Sequence, residues 1–279
     1  MKYPDIVFLK TKRSGASILR GDQICSYMKN ININSQTIYE KNLKNIKNCI
    51  LFSIKKDLNS EVVDVLKKRN VKIVLDIVDL FSNIKNEKIN LCNKYDAIIY
   101  PNNKCLKDFF VKDSFCSIID HHIHEKINKI EYGSFKNVKF GYFGIFKSCS
   151  YINKNKNIDK INPIKDKFWI EKLKRYNCHI SLRSYDFSKY KPNTKLAVAS
   201  GSGSNIIMTK DEGFLDKLKE YPFYVDDDEK SFEHMANFVK ENYNSKIWHK
   251  ALDQINSIRE DFLLKNIIKK YLNLIENIA

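Results

Sequence analysis

Short, mostly apolar runs recur along this chain at residues 6–9, 49–54, 71–75, 97–100 and 116–119. Each is strand length, and a run without polar alternation belongs in a sheet covered on both faces. Ile38 marks a further strand. Residues 61–69 carry the other half of the pattern, with Val62, Val63, Val65 and Leu66 on one apolar helical face. Strand and helix segments that take turns predict a mainly parallel sheet with helices on both sides, an α/β fold. Ligands bind such sheets at the carboxyl ends of the strands, so the loops after them hold the residues to test for function.

The chain has 279 residues, long for one domain and comfortable for two of about 130 each. Lys and Arg number 49 against 33 Asp and Glu, a net charge of +16. Such a surface favours phosphates, anionic headgroups and nucleic acid without selecting among them. The seven cysteines form no CxxC pair and are odd in number, which reads as reduced thiols in a cytoplasmic protein. No signal-like apolar region follows the N-terminus, and no apolar stretch approaches the roughly 18 residues of a membrane span. The expectation is a soluble chain, peripheral to a membrane at most.

Four strand-end loops stand out in the first half. In TKRSGAS, Gly15 would let backbone approach a ligand and Arg13 could meet a phosphate. Asp22 follows early in a helix expected over 20–29, as a cap or a base. Asp76 and Asp79 close the LDIVDL run; Asp79 either caps its turn or takes a proton from an acceptor hydroxyl. Pro101, Asn102 and Asn103 read as a turn. In IIDHHIHEKI, Asp120, His121, His122 and His124 follow a buried strand, without the Cys or Glu spacing of a zinc site. Exposed linker histidines and ligand-touching ones are both compatible with that run.

Residues 125–137 are polar, carry Gly133 and Ser134, and read as a linker. VKFGYFGIF over 138–146 restarts the sheet pattern, and Gly141 and Gly144 would let amides approach a diphosphate. A strand over 178–182 ends at Arg183, whose fork of donors suits phosphate. The densest stretch is KPNTKLAVASGSGSNII, 191–207. Pro192 suits a helix N1 position, Thr194 and Lys195 fall in the first turns, and Ala197, Ala199 and Ser200 keep the helix thin. Gly201 and Gly203 break it before a strand over 205–208. A helix start flanked by Lys191 and Lys195 is an anion site, because unpaired N–H groups and the dipole point outward there. Helices over 167–176, 214–219, 231–241 and 246 onward, with a bend near Ile258, and an edge strand over 221–224 complete the pattern.

The 191–207 segment resembles the donor-site element of GT-B glycosyltransferases, especially bacterial surface-polysaccharide enzymes of the group 1, family 4-like kind. Their pattern K-P-x-T-K-L-x-N-A-x-x-x-G-x-P-x-I is matched by Lys191, Pro192, Thr194, Lys195, Leu196, Ala199, Gly203 and Ile207. Val198 stands where the pattern has Asn and many relatives have the Glu that holds the ribose, and Asn205 replaces Pro. The 138–146 run is similar to the first strand and glycine loop of the family's C-terminal domain.

The resemblance implies two Rossmann-like domains facing a cleft, 1–124 on the acceptor side and 138–279 binding the nucleotide sugar, with a last helix crossing back to the N-terminal domain. It implies a metal-independent sugar transfer, with the nucleotide-sugar donor as substrate and no separate cofactor. A glycan or lipid-linked acceptor, polysaccharide biosynthesis and a cytoplasmic site at the inner membrane face belong to the same expectation. Donor contacts would come from Arg13, Gly15, Gly144, Arg183, Lys191, Thr194 and Lys195, and an acceptor base from His121, Asp79 or Asp22. A non-catalytic sugar-phosphate or nucleic-acid binding module on the same scaffold is the alternative that Val198 and the high charge favour. A glycosyltransferase acting on modified DNA ranks below a glycan acceptor, because the lysine-rich stretches lack interleaved aromatics.

Overall fold

The computed structural model describes residues 3–11, 14–79, 94–130, 135–144, 152, 158–183 and 189–279. The chain forms two compact units: residues 1–121 with 190–192 and 264–279, and residues 122–189 with 193–263. Each is built on one parallel sheet.

The first unit's sheet has six strands: β1 (Asp5–Lys10), β2 (Ser35–Tyr39), β3 (Cys49–Ile54), β4 (Val71–Asp76), β5 (Ala97–Tyr100) and β6 (Phe115–Ile118), in the order β2-β1-β3-β4-β5-β6. The central β3 pairs Ile50 with Ile6 and with Lys72, and all six of its residues are buried. Its unbroken apolar run follows from this, since helices cover both faces. Asn59 starts α2 (Ser60–Lys68), its Oδ1 accepting from Val62 N at 2.9 Å. The opposite face is covered by α1 (Ile24–Asn30) and by the C-terminal helix, Leu264–Ile278, which buries Ile267, Ile268, Tyr271, Leu274 and Ile275 against β1, β3 and β4 residues. The last helix therefore returns to the N-terminal unit, as expected.

The helix expected over 20–29 comes in two parts, a π-helical stretch over Ser17–Gln23 and then α1. Wider π turns often mark functional or strained positions, and this one puts Arg20 in the interior with no exposure. Arg20 Nη2 donates to the Ile119 carbonyl at 2.5 Å and Nη1 to Tyr271 Oη at 3.2 Å. The Tyr271 hydroxyl in turn donates to Asp76 Oδ2 at 3.2 Å. Burial alone would lower the Arg20 guanidinium; Asp76, Tyr271 and Asp120 outweigh it and hold the group above its ordinary value.

The second unit's sheet holds β7 (Phe140–Phe143), β8 (Asp159–Ile161), β9 (Cys178–Ser181), β10 (Asn205–Thr209) and β11 (Tyr224–Val225), in the order β11-β10-β9-β7-β8. The helix before β10 spans Thr194–Ser202 and ends on Gly203 at φ 70°, a left-handed cap. Gly201 does not break it, contrary to expectation. It lies inside the helix, where a Cβ would stand 2.5 Å from Ile123 Cγ2, so the missing side chain permits close packing. Pro192 lies outside the helix, which starts at Thr194 with Asn193 in the cap position.

The stretch expected as a linker packs into the second unit as far as it is described. Ile127 and Ile130 are buried, and Ile130 N donates to the Ser202 carbonyl at 2.9 Å. Gly133 and Ser134 lie outside the described residues. The edge strand expected over 221–224 shrinks to Tyr224–Val225, because Tyr221 and Phe223 are core residues and the Tyr221 hydroxyl accepts from Ile206 N at 3.0 Å. Among the described residues no helix is long and apolar enough to cross a membrane, and the five described cysteines are all free thiols.

Candidate functional site

β7, β9 and the Thr194–Ser202 helix meet at the carboxyl edge of the second sheet, where parallel sheets take ligands. Lys195 Nζ stands 3.9 Å from the centroid of the Tyr142 ring. A Cβ on Gly144 would lie 3.3 Å from Tyr142 Oη and 3.4 Å from Lys195 Cε. Two expected donor residues, Gly144 and Lys195, are thus neighbours, and Tyr142 beneath the ammonium is the contact the sequence did not reveal. Only the pairing of the aromatic at the centre of FGYFG with a lysine 53 positions on could have signalled it.

Gly144 contributes space rather than a donor. Its N–H already bonds the Ile161 carbonyl at 3.0 Å, so the expected amide contact from it is spent in the sheet. Gly141 is likewise structural, since a Cβ would stand 2.7 Å from Tyr176 Cγ. The other backbone N–H groups at this edge are those of the helix start, where Thr194 is the first residue and the Asn193 side chain does not cap the turn. Behind Lys195 lies His179, 3% exposed with its ring 5.0 Å from Phe143. Burial, with the Lys195 charge added, pushes His179 down to about 3, so it is neutral at ordinary pH.

Arg183 sits two residues past β9, 7% exposed. Its Nη1 donates to Asp211 Oδ2 at 3.3 Å and its guanidinium carbon stands 4.9 Å from the Phe214 ring centroid. Asp211 also caps the short helix Glu212–Leu215 through Phe214 N at 3.1 Å. Lys191 groups with the first unit rather than with Thr194 and Lys195. There its carbonyl accepts from Asn102 Nδ2 at 3.1 Å, and Tyr190 donates to Asp108 Oδ2 at 2.7 Å. Asn102, expected only as a turn residue, also caps the helix Asn103–Phe109.

In the first unit, Asp79 and His121 each lie three residues past a strand end, after Asp76 and Ile118, while Asp22 lies in the π-helical stretch Ser17–Gln23. Asp22 is paired with Lys10 at 2.5 Å and Asp79 with Lys55 at 2.6 Å; His121 is 4% exposed. His121 is therefore a buried side chain and not an exposed linker histidine. Gly15 is exposed, with nothing within 4 Å of where a Cβ would stand, so no close contact requires glycine there. Arg13 lies outside the described residues. Among the described residues no three His, Cys, Asp or Glu side chains gather as metal ligands; His124 instead faces Trp169 edge-on at 6.0 Å.

No protein-family model matches the sequence, and no curated protein matches it. Solved structures do match over nearly the whole chain. The Anabaena protein Alr3699/HepE in complex with UDP-glucose is 8% identical, with 99% of this chain and 100% of that one covered at a TM-score of 0.64. A glycosyltransferase from Rickettsia africae is 11% identical, covering 99% and 98% at 0.62. The lipopolysaccharide outer core galactosyltransferase WaaB is 11% identical, covering 98% and 99% at 0.61. The class these likenesses define is a two-sheet α/β fold. The fold in particular is GT-B.

Proposed function

We propose that the protein is a GT-B glycosyltransferase that moves a sugar from a nucleotide-activated donor to a glycan or lipid-linked acceptor, without a metal ion. One observation carries this reading: Lys195 stands in the first turn of the Thr194–Ser202 helix, beside the room left by Gly144. HepE, which has the same fold, holds UDP-glucose. When the anomeric C–O bond breaks, the electron pair stays on the terminal phosphate oxygen of the leaving diphosphate. The Lys195 ammonium and the amides around Thr194 stabilise that charge as it develops. Arg183 joins them when a phosphate competes with Asp211 for its guanidinium.

The proton of the attacking hydroxyl goes to a side-chain base in an inverting reaction, or to the departing phosphate in a retaining one. The candidates for that base are His121, Asp79 and Asp22, with Asp22 paired to Lys10 and Asp79 to Lys55. Free thiols fit a reducing, cytoplasmic setting, and polysaccharide assembly is the process such a donor and acceptor suit. A second reading, a sugar-phosphate binder without chemistry, gains from Val198, which offers no carboxylate to a ribose, and from the engagement of Arg183 by Asp211. Thermal unfolding against a panel of nucleotide sugars identifies the donor, and donor consumption separates the two readings. Stabilisation without consumption by any acceptor would favour the binder.

A further inference from the structure

Ile164 and Phe168 are 65% and 67% exposed, the two most exposed large apolar side chains among the described residues, and one turn of the second unit carries both. The turn is held by its own hydrogen bonds. Asn162 Oδ1 accepts from Ile164 N at 3.0 Å, and the Asn162 carbonyl accepts from the amides of Lys165 and Asp166 at 3.1 and 2.8 Å. Asp166 Oδ1 accepts from Phe168 N at 3.0 Å. The backbone under both apolar side chains is therefore fixed, and little ordering is left to be lost on docking.

The net charge around them is positive. Lys165 and Lys167 are exposed between the two apolar side chains. Asp166, the acid among them, is turned to Lys172 Nζ at 2.6 Å, and that bond holds its carboxyl below the ordinary value. From 164 to 175 there are five cations and two carboxylates. Two side chains are far too little for a stable protein interface, which takes about 800 Å² from each partner. A bilayer surface asks less: apolar side chains that enter among the headgroups and cations at the level of the phosphates.

We propose that this turn docks the protein on an anionic lipid surface, with Ile164 and Phe168 entering the headgroup region and Lys165 and Lys167 meeting lipid phosphates. The contact lies in the second unit and does not depend on the transferase reading. It names the side chains that would make a basic chain peripheral to a membrane.

The test is sedimentation of the full chain with phosphatidylcholine vesicles, with and without phosphatidylglycerol, alongside tryptophan fluorescence. Of the two tryptophans, Trp248 is 1% exposed and Trp169 directly follows Phe168, so a blue shift reports this turn. Pelleting and a blue shift are expected only with the anionic vesicles, weakening as salt is raised. Ile164→Ser with Phe168→Ser, and separately Lys165→Glu with Lys167→Glu, should each lower vesicle affinity roughly tenfold or more while the thermal midpoint is unchanged. Absence of binding to anionic vesicles would overturn the proposal. So would pelleting without a blue shift or unaffected by either pair, which would put the contact elsewhere. Self-association that needs Phe168 without any lipid effect would reassign the turn to a second copy of the chain.

Discussion

Arg183 is held by Asp211, Nη1 to Oδ2 at 3.3 Å, with the guanidinium laid against Phe214. A cation that the sequence offers to a phosphate is thus already engaged by a carboxylate that is 1% exposed on its side chain. Phosphate binding at Arg183 must compete with this pair or share its donors, since a guanidinium has five N–H groups to offer.

Asp211→Asn follows as a test. Asparagine keeps an acceptor for the Phe214 amide but removes the charge that engages Arg183. Nucleoside diphosphate affinity should rise severalfold, at a stability cost of about 1–3 kcal/mol for a buried cation left without its counter-charge. Titration calorimetry and urea unfolding of the one variant measure both. Unchanged affinity would take Arg183 out of the donor site.

Arg20 and Asp76 are fully buried together with Tyr271. Arg20→Met should cost about 3–5 kcal/mol, because it strands the Asp76 carboxylate. Adding Asp76→Leu should restore most of the loss, since a buried pair replaced by apolar side chains of similar size is often close to neutral. Denaturant unfolding of the singles and the double variant gives the cycle. Additive losses would mean the two residues act independently.

Gly201→Ala sets a 2.5 Å contact against Ile123. The crowding outweighs the gain in helix propensity, and a net loss of about 1–2 kcal/mol is expected. Ile123→Ala, which removes the crowded Cγ2, should cost less in the Gly201→Ala background than in the parent if that contact is the cause. Thermal melts of the parent, the two single variants and the double variant decide it.

His179 gives a pH signature. Burial, together with Lys195, lowers it from 6.5 to about 3 in the folded chain, so the unfolded chain binds a proton over that window and the folded chain does not. Stability should therefore fall as pH drops below about 6.5, at up to about 1.4 kcal/mol per pH unit from this group. His179→Gln removes that slope. Unfolding free energies at several pH values between 7.5 and 5 would expose a parent and variant that run parallel, and that outcome would contradict the assignment.

Much of the fold was legible because its strands are central. Cys49–Ile54 is buried along its whole length and Val71–Asp76 at every position but Lys72, and mostly apolar runs of that length can mean little else between helical stretches. Tyr221 and Phe223 misled for the same reason, since apolar residues beside a strand end pack in the core without pairing. The π-helical turn was not legible. Arg20 reads as a surface residue of an amphipathic helix, and its partners Asp76 and Tyr271 are 56 and 251 positions away. The site divided in the same manner. Lys195 and the space at Gly144 carry local signals, a helix start and a glycine after a strand. The claim of Asp211 on Arg183, the use of the Gly144 amide by Ile161, and the grouping of Lys191 with Asn102 all arise from contacts between distant segments.

The central claim is that Lys195 and the helix start at Thr194 hold a nucleotide-linked phosphate. Titration calorimetry of UDP and GDP into the parent and Lys195→Ala tests it most directly. The account predicts that the parent binds one of them and that the variant binds it about ten- to a hundredfold more weakly, the worth of one charge-assisted phosphate contact. Its thermal midpoint should stay close to the parent's. Equal affinity in a folded Lys195→Ala variant would contradict the account and leave the 191–207 segment a structural element only.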